Sequence, residues 1–225
     1  MTATDTRARY GAVVFDVDST IAALEGIDWL AERRGEPLAT EIRLLTEQAM
    51  AGTIPLEAVY ARRLALIRPT RRELRELGEA YVAAVQPGAR ALCAVLLAAG
   101  CGLALVSGGL REAILPLAHH VGIDDEDVHA VEIDFDENGE FVGLRGDQPL
   151  ATQQGKPIVL HALRDELDRP VVMVGDGSTD AAVRGVTDAF IAYTGVVRRA
   201  AVVAVADAEA ADFKALHALL VGRAS

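Results

Sequence analysis

The sequence has little sulfur, little positive charge and no long apolar run. Its 225 residues include two cysteines, Cys93 and Cys101. Both sit in apolar surroundings without metal-ligand spacing, which argues for buried structural thiols in a reducing compartment. No apolar stretch approaches the roughly 20 residues needed to cross a bilayer. The opening MTATDTRARY lacks the apolar block of a secretory signal. The expectation is a cytoplasmic protein without a membrane partner. Lys and Arg number 22 against 33 Asp and Glu, a net charge of −11. A nucleic-acid backbone needs a basic face, so this balance argues against a nucleic-acid partner. It suits an enzyme that holds a divalent cation, although acidity by itself usually serves only solubility. Internal repeats and low-complexity segments are also lacking.

What is present is apolar texture, 51% of the chain, enough for one large domain or one domain carrying a smaller insert. Short β-branched runs at Ala12–Phe15, Leu103–Val106, Val171–Val174, Phe190–Ala192 and Val202–Val205 read as buried strands. Helical patterns lie at Pro87–Ala99, Leu110–Val121, Lys156–Leu167 and Asp212–Val221, the first two closed by Gly100 and Gly122. Continuous apolar strands alternating with helices predict an α/β fold, a Rossmann-like parallel sheet with helices on both faces. Between about Gly26 and Val85 the rhythm fails. Leu38, Ile42, Leu45 and Ala49 share one helical face; Leu56, Val59, Leu64 and Ile67 share another; Thr70 to Glu73 spells a capping box. The expected organisation is a core of residues 1–24 and 86–225 with a helical cap of residues 25–85 inserted after the first strand. Alternation around Asn138-Gly139 predicts a β-hairpin.

Open α/β sheets bind ligands at the carboxyl ends of their strands. The first strand delivers Asp16 and Asp18 in VVFDVDST. The second delivers Ser107-Gly108-Gly109 at the opening of a helix. The third delivers GDGSTD, from Gly175 to Asp180, and Lys156 starts the helix before it. Four carboxylates, a glycine-flanked hydroxyl and one ammonium suit phosphoryl transfer. Backbone amides at a helix start receive phosphate, Lys156 supplies a compact cation, and oxygen-only ligands select Mg²⁺ over Zn²⁺. One carboxylate can attack phosphorus, and a second can serve the leaving oxygen as acid and the hydrolytic water as base. The strand is expected to end at Asp16 and the chain to turn through Val17–Asp18.

DVDST, SGG, a later lysine and GDGSTD, in this order after strands, resemble the four motifs of the haloacid dehalogenase superfamily. With EGID, the run Ala49–Pro55, RLALI and NGE, the chain from about Val13 to Leu220 resembles phosphoserine phosphatases. The resemblance implies Asp16 as nucleophile and Mg²⁺ ligand. It implies Asp18 as general acid/base and as a ligand through its backbone carbonyl, and Asp176 as the third ligand. Asp180 would hold the metal shell or Lys156 in place, and Lys156 would neutralise the transferring group. Ser107, Gly108 and Gly109 would bind phosphate, with Thr179 near the substrate. Arg63 shares a face with Val59 and Ile67, where an arginine alone reads as snorkelling to water; through RLALI the resemblance implies that it pairs with the substrate carboxylate. Glu25 of EGID would receive the substrate ammonium, and Met50 would line the pocket. Ala51 departs from the glycine usual in the family.

The implied activity is Mg²⁺-dependent hydrolysis of O-phospho-L-serine to L-serine and phosphate through an aspartyl-phosphate, the last step of serine biosynthesis, by a monomer or homodimer. Two alternatives stay open: hydrolysis of another small phosphomonoester, and phosphoryl transfer to an alcohol such as homoserine. A phosphorelay receiver module fits poorly, being about half this length without an insert. Arg33-Arg34, Arg71-Arg72 and Arg198-Arg199 read as solvated charge pairs, His119-His120 as a helix end, and Trp29 as packing.

Overall fold

The computed structural model describes residues 6–51 and 53–223. The apolar runs form the middle of a six-stranded sheet. β2 (Ala12–Phe15) is buried along its whole length and pairs in parallel with β3 (Gly102–Leu110) on one side and β7 (Val171–Gly175) on the other. The order across the sheet is β4-β3-β2-β7-β8-β9, with β4 at Val128–Val131, β8 at Ala189–Tyr193 and β9 at Ala208–Ala210, all parallel. A strand covered on both faces needs no polar alternation, which is why AVVF and VVMVG carry none. The covering helices are α5 (Ala89–Ala98), α6 (Arg111–Val121), α7 (Gly155–Ala162) and α10 (Phe213–Leu220). A small antiparallel ribbon, β1 (Thr6–Ala8) with β10 (Val221–Arg223), ties the described ends of the chain together. No described helix is long and apolar enough to cross a membrane.

The expected strand at Val202–Val205 is not there. Ala200–Val203 forms a helical turn, α9, in which Val202 is buried while Val205 just beyond is 37% exposed. The edge strand lies at Ala208–Ala210, placed by Asp207. Its amide donates to the Phe190 carbonyl at 2.9 Å and its carboxylate accepts from the Phe190 amide at 2.8 Å. An edge strand of three residues is set by such backbone anchors more than by β-branched content. The hairpin stands as expected, β5 (Ile133–Phe135) against β6 (Phe141–Leu144).

Four helices fill the chain between β2 and α5: α1 (Gly26–Glu32), α2 (Glu36–Met50), α3 (Leu56–Ile67) and α4 (Arg71–Ala83). A short helix is marginal alone, and Arg34 fastens three of these together. Its Nη1 and Nη2 grip Glu73 at 2.6 and 2.8 Å, and its Nε donates to the Ile67 carbonyl at the end of α3 at 2.7 Å. Glu73 also closes the capping box of α4, accepting from the Thr70 amide at 2.8 Å while its own amide donates to Thr70 Oγ1. Arg34 is thus a structural clamp rather than a solvated charge. Arg71 likewise donates its amide to the Gly139 carbonyl at 2.9 Å and lies 5.0 Å from the Phe135 ring, joining α4 to the hairpin.

The Arg34 hydrogen bonds hold the Glu73 carboxyl down at about 2, below its ordinary 4.5. A depressed carboxyl contributes stability that is whole above the unfolded value and disappears as pH falls through the folded one. The gap in thermal midpoint between the parent protein and Glu73→Gln should therefore be largest above about pH 4.5 and close as pH approaches 2. A gap constant across that range would remove the clamp from the stability of the insert.

Candidate active site

β2 ends at Phe15, one residue earlier than expected, and the Asp16 amide makes the last bond of the ladder, to the Val174 carbonyl at 2.9 Å. The chain then turns through Val17 and Asp18. Ser19 adopts φ 52°, and the Thr20 amide returns to the Val17 carbonyl at 3.2 Å. The turn sends the two carboxylates to different neighbours.

Asp16 joins the ends of β7 and α7. Lys156 Nζ lies 2.7 Å from Asp16 Oδ1 and 2.5 Å from Asp180 Oδ1, all three side chains being buried or nearly so. Burial pushes the ammonium down, but the charges of Asp16 and Asp180 outweigh it and hold Lys156 above its ordinary value. Burial, then the Asp16 charge, raises Asp180 to about 7 against the pull of Lys156. Asp180 Oδ2 accepts from the Gly177 amide at 2.8 Å. Gly175 is obligatory beneath it, because a Cβ there would stand 2.2 Å from Asp180 Cγ.

Asp16, Asp176 and Asp180 each bring a carboxylate oxygen within 4.8 Å of the others. An all-oxygen, buried set of three carboxylates fits a hard divalent cation. The expected ligand set was Asp16, Asp176 and the backbone carbonyl of Asp18, with Asp180 behind. The side chain of Asp18 is not part of the gathered triad. Its Oδ1 accepts from the Gly26 amide and from Tyr81 Oη, both at 2.7 Å. Burial, then the Asp16 charge, lifts Asp18 to about 6. Asp18 Oδ2 lies 3.0 Å from where a Cβ on Gly109 would be, so that glycine makes room for the carboxylate.

Ser107 is fully buried, and its Oγ accepts from the Gly109 amide at 3.0 Å. SGG does not open the helix directly: β3 continues to Leu110, its pairing with β4 shifting register between Val106 and Leu110, and α6 starts at Arg111.

From the insert come Glu25, Tyr60 and Arg63, which line one pocket with Asp16, Asp18, Gly108, Gly109, Lys156, Asp176 and Thr179. Arg63 does not snorkel. It is 2% exposed, donates from Nη1 to Thr46 Oγ1 at 2.8 Å and leaves its Nε without a partner among the described residues. Thr46 passes the contact on to Asp28 Oδ1 at 2.6 Å. A buried guanidinium with an unmet donor is prepared for an anion. Glu25 accepts from Ser19 Oγ at 2.6 Å, and burial, then the Asp18 charge, raises it to about 8. Met50 closes α2, but its side chain lies outside the described residues; the neighbouring Ala49 carbonyl accepts from Ser178 Oγ at 3.2 Å.

Sequence reasoning missed three groups. Arg199, expected to be solvated, pairs with Asp176 Oδ2 and its side chain is only 15% exposed. Nothing in VVRRAAVV marks it. Tyr60 and Tyr81 fall at apolar positions of their helices, so periodicity identifies their rings and is blind to their hydroxyls.

The arrangement defines a class: an α/β protein with a carboxylate–lysine site, able to hold a divalent cation, at the carboxyl edge of a parallel sheet, served by an inserted helical layer. The haloacid dehalogenase-like hydrolase model matches residues 13–183, and the chain belongs to that family, whose phosphatases are generally metal-dependent. It is 38% identical over 199 residues to the chloroplastic phosphoserine phosphatase of Arabidopsis thaliana, covering 87% of this chain and 67% of that protein. It is 38% identical over 189 residues to phosphoserine phosphatase of Bos taurus, covering 84% and 83%. Among solved structures, a phosphoserine phosphohydrolase-like protein from Francisella tularensis superposes with a TM-score of 0.85 at 26% identity, covering 92% of this chain and 98% of that one.

The Arg199 guanidinium and a divalent cation are alternative neutralisers of the same triad. In Arg199→Ala the rise in thermal midpoint on adding Mg²⁺ should exceed that of the parent protein, because the metal-free triad is left with Lys156 alone. An equal rise in both would separate Arg199 from the acid set.

Proposed function

We propose that this chain is an Mg²⁺-dependent phosphomonoesterase that hydrolyses O-phospho-L-serine to L-serine and phosphate, as the last step of serine biosynthesis, in the cytoplasm. The observation that carries the reading is the pairing, in one pocket, of the acid–lysine set with a buried guanidinium and a carboxylate of the insert. Phosphoserine carries a phosphate, a carboxylate and an ammonium. Ser107, Gly108 and Lys156 receive the first, Arg63 the second and Glu25 the third. Thr179 and Met50 border the serine moiety, and residues 25–85 act as a cap that closes the pocket against water.

Asp16 attacks phosphorus, forming an acyl phosphate as the bond from phosphorus to the serine oxygen breaks. Asp18, held by Tyr81 and the Gly26 amide, gives its proton to that oxygen. It then takes a proton from water, whose oxygen attacks phosphorus and frees phosphate and the Asp16 carboxylate. Lys156, bonded to both Asp16 and Asp180, neutralises charge on the nucleophile and the transferring group. The cation would be held by Asp16, Asp176 and the Asp18 carbonyl, with Asp180 behind them, and would supply electrostatic stabilisation of the phosphoryl oxygens.

Asp16→Asn should lower kcat on phosphoserine by about three orders of magnitude or more, read as phosphate release with Mg²⁺ present; EDTA should abolish release by the parent protein. Substantial turnover by Asp16→Asn would remove Asp16 as nucleophile. Arg63→Ala should cost about 10²-fold in kcat/KM on phosphoserine, the scale for losing one partner of a buried charge pair, while p-nitrophenyl phosphate, which has no carboxylate, keeps its rate. Equal losses on both substrates would mean that Arg63 does not read the carboxylate.

A further inference from the structure

The hydroxyl of Tyr60 crosses from the insert to the core. Tyr60 lies on α3, is 2% exposed, and donates to the Gly108 carbonyl at 2.6 Å. The same peptide unit ends in the Gly109 N–H, which donates to Ser107 Oγ at 3.0 Å. In a trans peptide the C=O and N–H point in opposite directions. One plane is therefore held at both edges, by a tyrosine of the insert and by the hydroxyl of Ser107. Both flanking residues are glycines, whose backbone rotates at little steric cost, so these two hydrogen bonds do much of the work of fixing the plane. Ser107 Oγ accepts from Gly109 and keeps its own hydrogen for donation. Burial pushes the Tyr60 phenol well above its ordinary value, so it remains a neutral donor. The ring has a second contact: Arg63, one turn further on α3, places its guanidinium carbon 5.4 Å from the ring centroid.

We propose that Tyr60 is a positioning residue that couples the two ends of the substrate site. Its hydroxyl sets the Gly108–Gly109 peptide, and through it the Ser107 donor, while α3 lies over the pocket; its ring supports the arginine at the carboxylate end. Phosphate seating in the core is thereby conditional on the insert being in place. This rests on the reading of Ser107 and Gly108 as the phosphate subsite.

Tyr60→Phe removes the hydroxyl and keeps the ring, with inorganic phosphate as the probe. The dissociation constant of phosphate, from the ligand-induced shift in thermal midpoint, should rise about tenfold, the scale for losing one hydrogen bond that holds the site. Its inhibition constant in p-nitrophenyl phosphate hydrolysis should rise by the same factor. The kcat/KM values on p-nitrophenyl phosphate and phosphoserine should fall together. Tyr60→Leu also removes the ring; it should show the same loss for phosphate and a further loss for phosphoserine alone, as Arg63 loses its support. Unchanged phosphate affinity in both variants overturns the proposal. So does a fall in the ligand-free midpoint with phosphate affinity intact, which marks a purely structural residue, and so does failure of both variants to fold. If the parent protein binds phosphate but does not release it from phosphoserine, the substrate reading fails while the phosphate titrations still decide the role of Tyr60.

Discussion

Three carboxylates brought together at the buried end of a parallel sheet are the constraint around which the rest of the molecule is arranged. Asp16, Asp176 and Asp180 lie close enough to share one cation, and uncompensated desolvation would cost several kcal/mol for each. The fold answers with cations drawn from distant parts of the chain. Lys156 comes from the start of α7 and bonds two of the three. Arg199 comes from the loop after β8 and takes the third. Lys156 on a helix and Arg199 on a loop both lie beside strands buried by apolar side chains, so the charges are matched at the edge of a sheet held by hydrophobic burial. The glycines follow from the same crowding: Gly175 lies under Asp180 and Gly109 beside Asp18, where a methyl group would displace a carboxylate.

Seen this way, Asp18 differs from its neighbours by direction rather than by chemistry. The turn after β2 swings it toward the insert, and its two donors, the Gly26 amide and the Tyr81 hydroxyl, both belong to insert helices. Its lifted proton affinity comes from burial and from Asp16, against a weaker pull from Lys156, and no described lysine or arginine bonds it directly. A carboxylate whose proton affinity is lifted toward neutral pH, beside one that is paired with lysine, is the division of labour that acid–base and nucleophilic chemistry require of two aspartates. Gly26 belongs to this arrangement as well, since a Cβ there would lie 2.2 Å from the Tyr81 hydroxyl.

Much of the fold was legible because burial on both faces writes itself as uninterrupted β-branched runs, and the chemistry was legible because it sits where those runs stop. The helical insert could be read from the amphipathic faces of Leu38–Ala49 and Leu56–Ile67 and from one capping box, while its first helix, Gly26–Glu32, carried no such signal. What escaped has physical reasons. The edge strand at Ala208–Ala210 is short and small, fixed by Asp207 rather than by its own propensity, and the valines just before it drew the assignment toward themselves. Arg34, Arg71 and Arg199 look alike in sequence, each the member of an arginine pair. What separates a clamp from a solvated side chain is a partner tens of residues away, Glu73 for Arg34 and Asp176 for Arg199. Amphipathic periodicity cannot report the polar end of an aromatic residue, and so Tyr60 and Tyr81 were readable only as packing.

That blind spot has a consequence for how specificity is built. In the proposed reading the groups that would receive phosphate come from the core, at strand ends and the start of α7, whereas Arg63 and Glu25 come from the insert. Independent modules would let the insert drift while the core still bound phosphate, and any phosphomonoester would serve. Hydroxyls that reach from insert helices to the Gly108 carbonyl and to Asp18 make the two halves geometrically dependent. A neutral tyrosine suits this task. It adds no charge to an already crowded edge, its ring stays within the apolar face of its helix, and its hydroxyl satisfies a part-buried acceptor at the pocket wall. On the proposed reading, selectivity for the non-reacting end of a substrate would then be a property of how the insert holds the reacting end, and not only of Arg63 and Glu25.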